Sequence, residues 1–376
     1  MHDDTSPTLD VAKILSWVEC ETPTMDGPAV NRLVDIIERE AREIGAGIKR
    51  WQGGPDCGDV LLLAPLNHEP SMSVLLHGHV DTVHPHGSLL GTLRPRVENG
   101  RIYGPGIYDM KAGVLMAFQE FKRSLLYPDQ YPRPLSLMIV PDEEHGSLFS
   151  RAITQEVARA YKAAFVFEPG GENCGVVCGR KGYGEYLLST HGKAAHAGMR
   201  PHDGQSAIVE MCRHILALEE LTDDTLGVSC NVGLVSGGSF TNIIPERASA
   251  RIDLRFRDKE GWEHLKTRVE GLVAINPAIR LELDFVLDMP PLTELSTASM
   301  LDAVRNAGRQ LGLDVNAESN GGASDANIIA EVGVPVLDGM GPEGDGAHTP
   351  FEYIDIESYN MKALLVRTLL TGDFVR

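Results

Sequence analysis

The chain has 376 residues, 43% of them hydrophobic, which is long and apolar enough for two ordinary domain cores. Its 34 basic and 53 acidic residues leave a net charge of −19 at pH 7, which repels phosphate backbones and anionic bilayers and argues against nucleic-acid or membrane partners. No apolar run approaches the roughly 18 residues of a membrane span, and Met1-His2-Asp3-Asp4 lacks the basic and apolar regions of a secretion signal, so a cytoplasmic location is expected.

In chain order, residues 29–46 place Val30, Leu33, Val34, Ile36, Ile37 and Ile44 at helical spacing among charges and end at Gly45 and Gly47, which predicts an amphipathic helix. Short apolar runs then alternate with helical stretches: strands at 60–63, 73–76, 135–140 and 164–167, helices at 112–126 and 152–160. This rhythm predicts an α/β layer with a mostly parallel, buried sheet. From Lys181 the texture changes to a strand at 184–191, a helix at 206–218, strands at 228–236 and 247–257, a helix at 259–274 and a strand at 279–287. The order βαββαβ is that of a ferredoxin-like split unit. Pro290-Pro291 reads as a linker, after which a helix at 297–311, a strand at 334–337 and a helix at 356–370 return to the first texture. The expected organisation is a discontinuous first domain, 1–180 and 289–376, with a smaller domain, 181–288, inserted into it.

Five residues with metal-ligand chemistry stand just after predicted strands or in the loops that follow them: His79, Asp109, Glu144, Glu168 and His348. Ligands gather at the carboxyl ends of strands in open α/β sheets, so these distant positions can converge. Two imidazoles and three carboxylates, one of them bridging, would hold two divalent ions and leave room for a shared water. Singly, each reads more readily as a surface polar residue than as a ligand; their joint placement after strands carries the argument.

The wording and order of the motifs resemble the dinuclear zinc peptidase family of glutamate carboxypeptidase, acetylornithine deacetylase, succinyl-diaminopimelate desuccinylase and aminoacylase. The resemblance runs from about Ile14 to Leu370 and includes Gly78-His79-Val80-Asp81-Thr82-Val83, Asp142-Glu143-Glu144, Gly192 to Gly198 around His196, Asn242-Ile243-Ile244-Pro245, Asp253-Leu254-Arg255 and Gly321-Gly322-Ala323-Ser324-Asp325. It is greatest to the glutamate carboxypeptidase branch. The resemblance implies that Asp109 bridges two zinc ions per subunit, replaceable by Co2+ or Mn2+, with His79 and Glu168 completing one site and Glu144 and His348 the other. It implies that Asp81 accepts a hydrogen bond from the second nitrogen of His79, that Glu143 is the general base, and that the peptide after Asp109 is cis. It further implies that His196 supplies an oxyanion donor from a neighbouring subunit, which requires a homodimer through the inserted domain, a lid and dimer platform in one. Arg255 and Asn242 match residues that hold a substrate carboxylate, and the Gly321–Ser324 turn, with Gly322, matches the segment that closes the same pocket.

Two positions depart from the family pattern. Asp288 and Met289 stand where the glutamate carboxypeptidases carry a basic residue, so a preference for glutamate is not implied, and Ala112 replaces the first glycine of Lys-Gly-Gly. Other chemistries find less support. Gly104-Pro105-Gly106 lacks the third glycine of a dinucleotide fingerprint, and no Gly-x-Ser-x-Gly elbow is present. Cys174 and Cys178 lack a second pair, and all six cysteines are expected to be reduced. The expected function is zinc-dependent hydrolysis of an amide bond in a small N-acyl amino acid or short peptide, releasing a C-terminal amino acid. The alternatives are a dipeptidase or aminopeptidase, and a non-catalytic two-domain binding protein.

Overall fold

A computed structural model describes residues 7–372. These fold as two compact units: one extends to Gly179 and resumes over Glu294–Asn320 and from Ser324 onward, the other comprises Arg180–Thr293 and Gly321–Ala323.

The first unit is built on a six-stranded sheet, in the order Gly47–Trp51, Val60–Ala64, Leu135–Val140, Val74–His79, Ala163–Val166 and Val336–Leu337. The last four strands pair in parallel. The first two form an antiparallel pair that joins Leu135–Val140 antiparallel, so the sheet is mixed, with its parallel part on one side. Every residue of Leu135–Val140, Val74–His79 and Ala163–Val166 is buried, which explains why these strands read as unbroken apolar runs rather than alternating ones. Helices cover the sheet. Gly27–Glu43 starts where the Asp26 carboxylate accepts the Ala29 amide, and it buries Val30, Leu33, Val34, Ile37 and Ala41, spaced for one helical face. Ala112–Leu126 lies so close to the sheet that a Cβ on Gly113 would meet the Phe167 carbonyl oxygen at 2.0 Å. Gly113 thus meets the steric demand, and Ala112 is accommodated fully buried beside it.

A second sheet in this unit was not anticipated. Gly344–Asp345, Tyr353–Asp355, Arg101–Tyr103 and Arg96–Glu98 lie side by side, all antiparallel. Its hairpin turns at Asn99 and Gly100, both with positive φ (52° and 78°), the geometry that an Asn-Gly pair favours. This small sheet ties residues 101–103, which lead toward Asp109, to residues 344–355, which contain His348.

The second unit has four antiparallel strands in the order Val228–Gly237, Arg247–Phe256, Gly182–His191 and Arg280–Met289, with helices Ala207–Glu219 and Lys259–Glu270. This is the ferredoxin-like arrangement that the βαββαβ order predicts. Gly182–His191 alternates buried and half-buried residues, so Tyr186, Leu188 and Thr190 face the helices. The unit has its own core, including Met211, Leu218, Ile252, Leu254, Phe256, Leu265 and Val269.

Candidate metal centre

Three adjacent parallel strands deliver chemistry at their carboxyl ends. His79 is the last residue of Val74–His79, Glu143 and Glu144 open a short turn that follows Leu135–Val140, and Glu168 lies two residues beyond Ala163–Val166. Asp109 comes from a kinked segment, Ile107–Lys111, ahead of the Ala112–Leu126 helix, and the Asp109–Met110 peptide is cis. His348 sits at φ 60° in the loop between the strands Gly344–Asp345 and Tyr353–Asp355.

The side chains converge. One Asp109 oxygen, Oδ1, lies 3.1 Å from His79 Nε2, and the other, Oδ2, lies 3.4 Å from His348 Nε2. Glu168 Oε1 is 3.7 Å from His79 Nε2, and Glu144 Oε2 is 2.9 Å from His348 Nε2. Glu143 Oε2 is 4.0 Å from His79 Nε2. Two groups, His79-Asp109-Glu144 and His79-Glu143-Glu168, have ligand atoms close enough to surround an ion. Asp81, fully buried, ties the parts together: its Oδ1 is 3.3 Å from His79 Nδ1, and its carboxylate accepts the amides of Glu143 (3.3 Å) and Glu144 (3.2 Å) and the Thr24 hydroxyl (2.9 Å). The backbone carbonyl of Asp81 shares His79 Nδ1 at 3.1 Å.

The electrostatics describe a site short of positive charge. Burial and the nearby Glu168 push the Glu143 carboxyl well above the usual carboxylate range, and burial with Asp109 pushes Glu144 up. Hydrogen bonds to Asp109 and Glu144 raise the His348 imidazole to about 10. Burial opposes charge on His79, yet its bonds to Asp109 and Asp81 hold it well above its ordinary value. Despite burial, the same imidazoles keep Asp109 far below the usual range. Four carboxylates against two imidazoles is the donor set and charge deficit that divalent cations satisfy.

The remaining residues singled out from sequence lie in the second unit. His196 pairs with Ile243 in a two-stranded ladder, and the neighbouring Ala197 amide donates to the Asn242 carbonyl at 2.9 Å, so His196 and Asn242 are brought together. His196 Nδ1 accepts the amides of Gly198 and Met199, each at 3.1 Å. Arg255 is gripped by Asp253 through two bonds of 2.9 Å, from Nε and Nη2, and lies over the Tyr183 ring at 4.3 Å. The Gly322 carbonyl accepts Arg180 Nη1 at 3.2 Å.

Sequence reasoning passed over a fully buried carboxylate, Glu352, beside the Asp109 segment, and a buried group behind His79 in which Asp325 accepts the Ser147 hydroxyl at 2.5 Å and lies 3.5 Å from His77. Burial pushes the Asp325 carboxyl to about 7 and His77 down to about 3. The signal for Asp325 was its place in the Gly-Gly-Ala-Ser-Asp run. For Glu352 it was an acid four residues beyond His348.

Comparison with known proteins gives the following. A sequence model of the Peptidase family M20/M25/M40 matches residues 75–371. Carboxypeptidase G2 of Pseudomonas sp. strain RS-16 is 28% identical, over 94% of this chain and 86% of its own length. A succinyl-diaminopimelate desuccinylase of Wolbachia pipientis subsp. Culex pipiens is 23% identical over 97% of this chain and 93% of its own. In fold, the chain is similar to the M20 family metallo-carboxypeptidase Sso-CP2 of Sulfolobus solfataricus, with a TM-score of 0.75, 16% identity, and coverage of 96% of this chain and 98% of that one.

Proposed function

This chain belongs to the peptidase family M20/M25/M40 and is a metallohydrolase of amide or peptide bonds, and we propose that it releases the C-terminal amino acid from an N-acyl amino acid or short peptide. The observation that carries the reading is Asp109, which turns one carboxylate oxygen toward each of two imidazoles. His79, Glu168 and Asp109 would hold one ion, and Glu144, His348 and Asp109 the other. Imidazole and carboxylate donors suit zinc, with Co2+ or Mn2+ as substitutes. When bound, the ions supply Lewis acidity to the scissile carbonyl and to a water.

The chain's own residues do the rest. Asp81, through its backbone carbonyl and its carboxylate, accepts the hydrogen bond from His79 Nδ1, which leaves Nε2 as the ligating nitrogen. Glu143, made more basic by burial and by Glu168, takes the proton of the attacking water and returns it to the departing amine. Because His196 Nδ1 already accepts two amides, its proton is on Nε2, the donor that a tetrahedral oxyanion needs. Asp253 and Tyr183 hold the Arg255 guanidinium flat and leave Nη1 for a substrate carboxylate, with Asn242 and Gly322 as further contacts. The likeness to carboxypeptidase G2 favours this carboxyl-terminal reading.

Homodimerisation through the second unit is part of the proposal. Val228–Gly237 is an edge strand, and Leu234 and Val235 on it are 65% and 63% exposed. No helix among the described residues is long and apolar enough to cross a membrane, and a cytoplasmic location belongs to the same proposal.

The test is amine release from a panel of N-acyl amino acids and dipeptides with zinc supplied, the C-terminal residue varied among glutamate, aspartate, neutral and aromatic types. Turnover of N-acylated members supports the proposal. Turnover of free dipeptides alone replaces it with a dipeptidase or aminopeptidase. No turnover with both ions bound points to a binding protein.

A further inference from the structure

We propose that Glu352 is the positioning residue of the metal centre: a buried carboxylate that fixes the backbone carrying Asp109 and ties it to the loops carrying His79 and His348. The inference rests on the reading that Asp109 bridges two ions.

Glu352 has no exposed surface. Its Oε1 accepts the amides of Tyr108 (2.8 Å) and Asp109 (3.0 Å), and its Oε2 accepts the amide of Gly106 (2.8 Å) and lies 2.7 Å from His84 Nε2. Three main-chain amides and an imidazole nitrogen thus converge on one carboxylate, and all three amides belong to the segment that presents Asp109. Gly106 makes that convergence attainable: its φ is +67°, and a Cβ there would meet the Thr82 methyl at 2.1 Å. Lys111 holds the same segment from another side, its ammonium donating to the carbonyls of Cys20 (2.9 Å) and Pro105 (3.4 Å).

The position of Glu352 in the chain gives these bonds their reach. It is four residues beyond His348 and immediately precedes Tyr353–Asp355, the strand that pairs with Arg101–Tyr103. His84 is five residues beyond His79. One carboxylate therefore joins the loops of three of the five ligands. A buried charge kept only for stability is readily replaced by an apolar side chain, whereas charge-assisted bonds to three amides fix a backbone in one geometry. Partners of this kind that orient ligands contribute about 10- to 100-fold to metal affinity or activity.

The test uses the full chain loaded with Co2+ and compares wild type, Asp109→Asn, Glu352→Ala and Glu352→Gln by metal titration, by magnetic coupling between the two ions, and by kcat and KM separately. The expected result is a coupled pair of ions in the wild type, an uncoupled pair in Asp109→Asn, and in Glu352→Ala a second ion bound about 10- to 100-fold more weakly, with coupling diminished and kcat lowered more than KM is raised. Glu352→Gln keeps one oxygen for Tyr108 and Asp109 but offers an NH2 group to Gly106 and His84, so it is expected to fall between; if the alanine variant does not fold, this variant decides. Wild-type affinity, coupling and kcat in the folded Glu352 variants, with coupling lost in Asp109→Asn, overturn the proposal alone. Coupling retained in Asp109→Asn overturns the bridging reading and the proposal with it.

Discussion

Stripping the ions with a chelator tests whether charge deficit defines this centre. Asp109, Glu143, Glu144 and Glu168 gather around His79 and His348. An ion at a hundredfold excess over its dissociation constant adds about 2.7 kcal/mol to stability, so two add about 5 kcal/mol. With an unfolding entropy of about 2.1 cal/mol/K per residue over the roughly 260 residues of the first unit, chelation is expected to lower its Tm by about 10 °C. The pH dependence makes the test sharper. The His348 imidazole is raised from 6.5 to about 10 by Asp109 and Glu144, and His79 is raised as well. A raised imidazole stabilises the fold fully below its unfolded value of 6.5 and loses that contribution as pH climbs toward 10. The chelated protein is therefore expected to lose stability above pH 6.5. Because the His348 side chain is 54% exposed, screening limits its share to about 1 kcal/mol. Ions and protons compete for the same imidazoles, so the difference in Tm between loaded and chelated protein is expected to widen as pH rises. Calorimetry from pH 6.5 to 9, with metal content measured in parallel, reads this difference. A difference that stays constant or narrows refutes the reasoning.

Three further outcomes are expected. Glu143→Gln lowers kcat about 100- to 10,000-fold while metal analysis still finds both ions, because on the proposed roles it removes the proton acceptor and leaves the five proposed ligands in place. Gly113→Ala, which drives a methyl group to 2.0 Å from the Phe167 carbonyl oxygen, destabilises the first unit by about 1–3 kcal/mol in urea unfolding and weakens metal binding through the adjoining Glu168. Replacing Leu234 and Val235 together by lysine leaves the fold intact by circular dichroism and converts a dimer to a monomer in sedimentation, since both side chains are exposed on an edge strand.

The parts of the fold legible from sequence were those where burial is two-sided or strictly alternating. Leu135–Val140 announces itself as an unbroken apolar run, and Gly182–His191 by its alternation. His79, Glu144 and Glu168 were legible as candidates because each closely follows or ends such a run, so the strand end predicts where a candidate ligand stands. His348 and Asp109 are held by a sheet of two- and three-residue strands, too short to leave a periodic trace, although Asn99-Gly100 between Val97 and Ile102 was a usable hairpin signal. Glu352 was illegible for a different reason. A buried acid is recognised only once the amides of Gly106, Tyr108 and Asp109 are seen to surround it, and those lie about 245 residues earlier in the chain. Arg255 shows the converse: Asp253 two residues away named its partner, because alternate residues of a strand share a face.

The Asp81 carboxylate reaches the imidazole of His79 on one side and the amides of Glu143 and Glu144 on the other. On the proposed roles, this one carboxylate therefore acts both on the donor strength of a ligand, together with its own backbone carbonyl, and on the placement of the acid beside it. If His79 ligates and Glu143 is the base, as proposed, a substitution at Asp81 chosen to shift metal preference through His79 also moves the proton acceptor. Re-engineering this protein for another ion consequently has to begin farther from the centre, at residues that touch only one of the two.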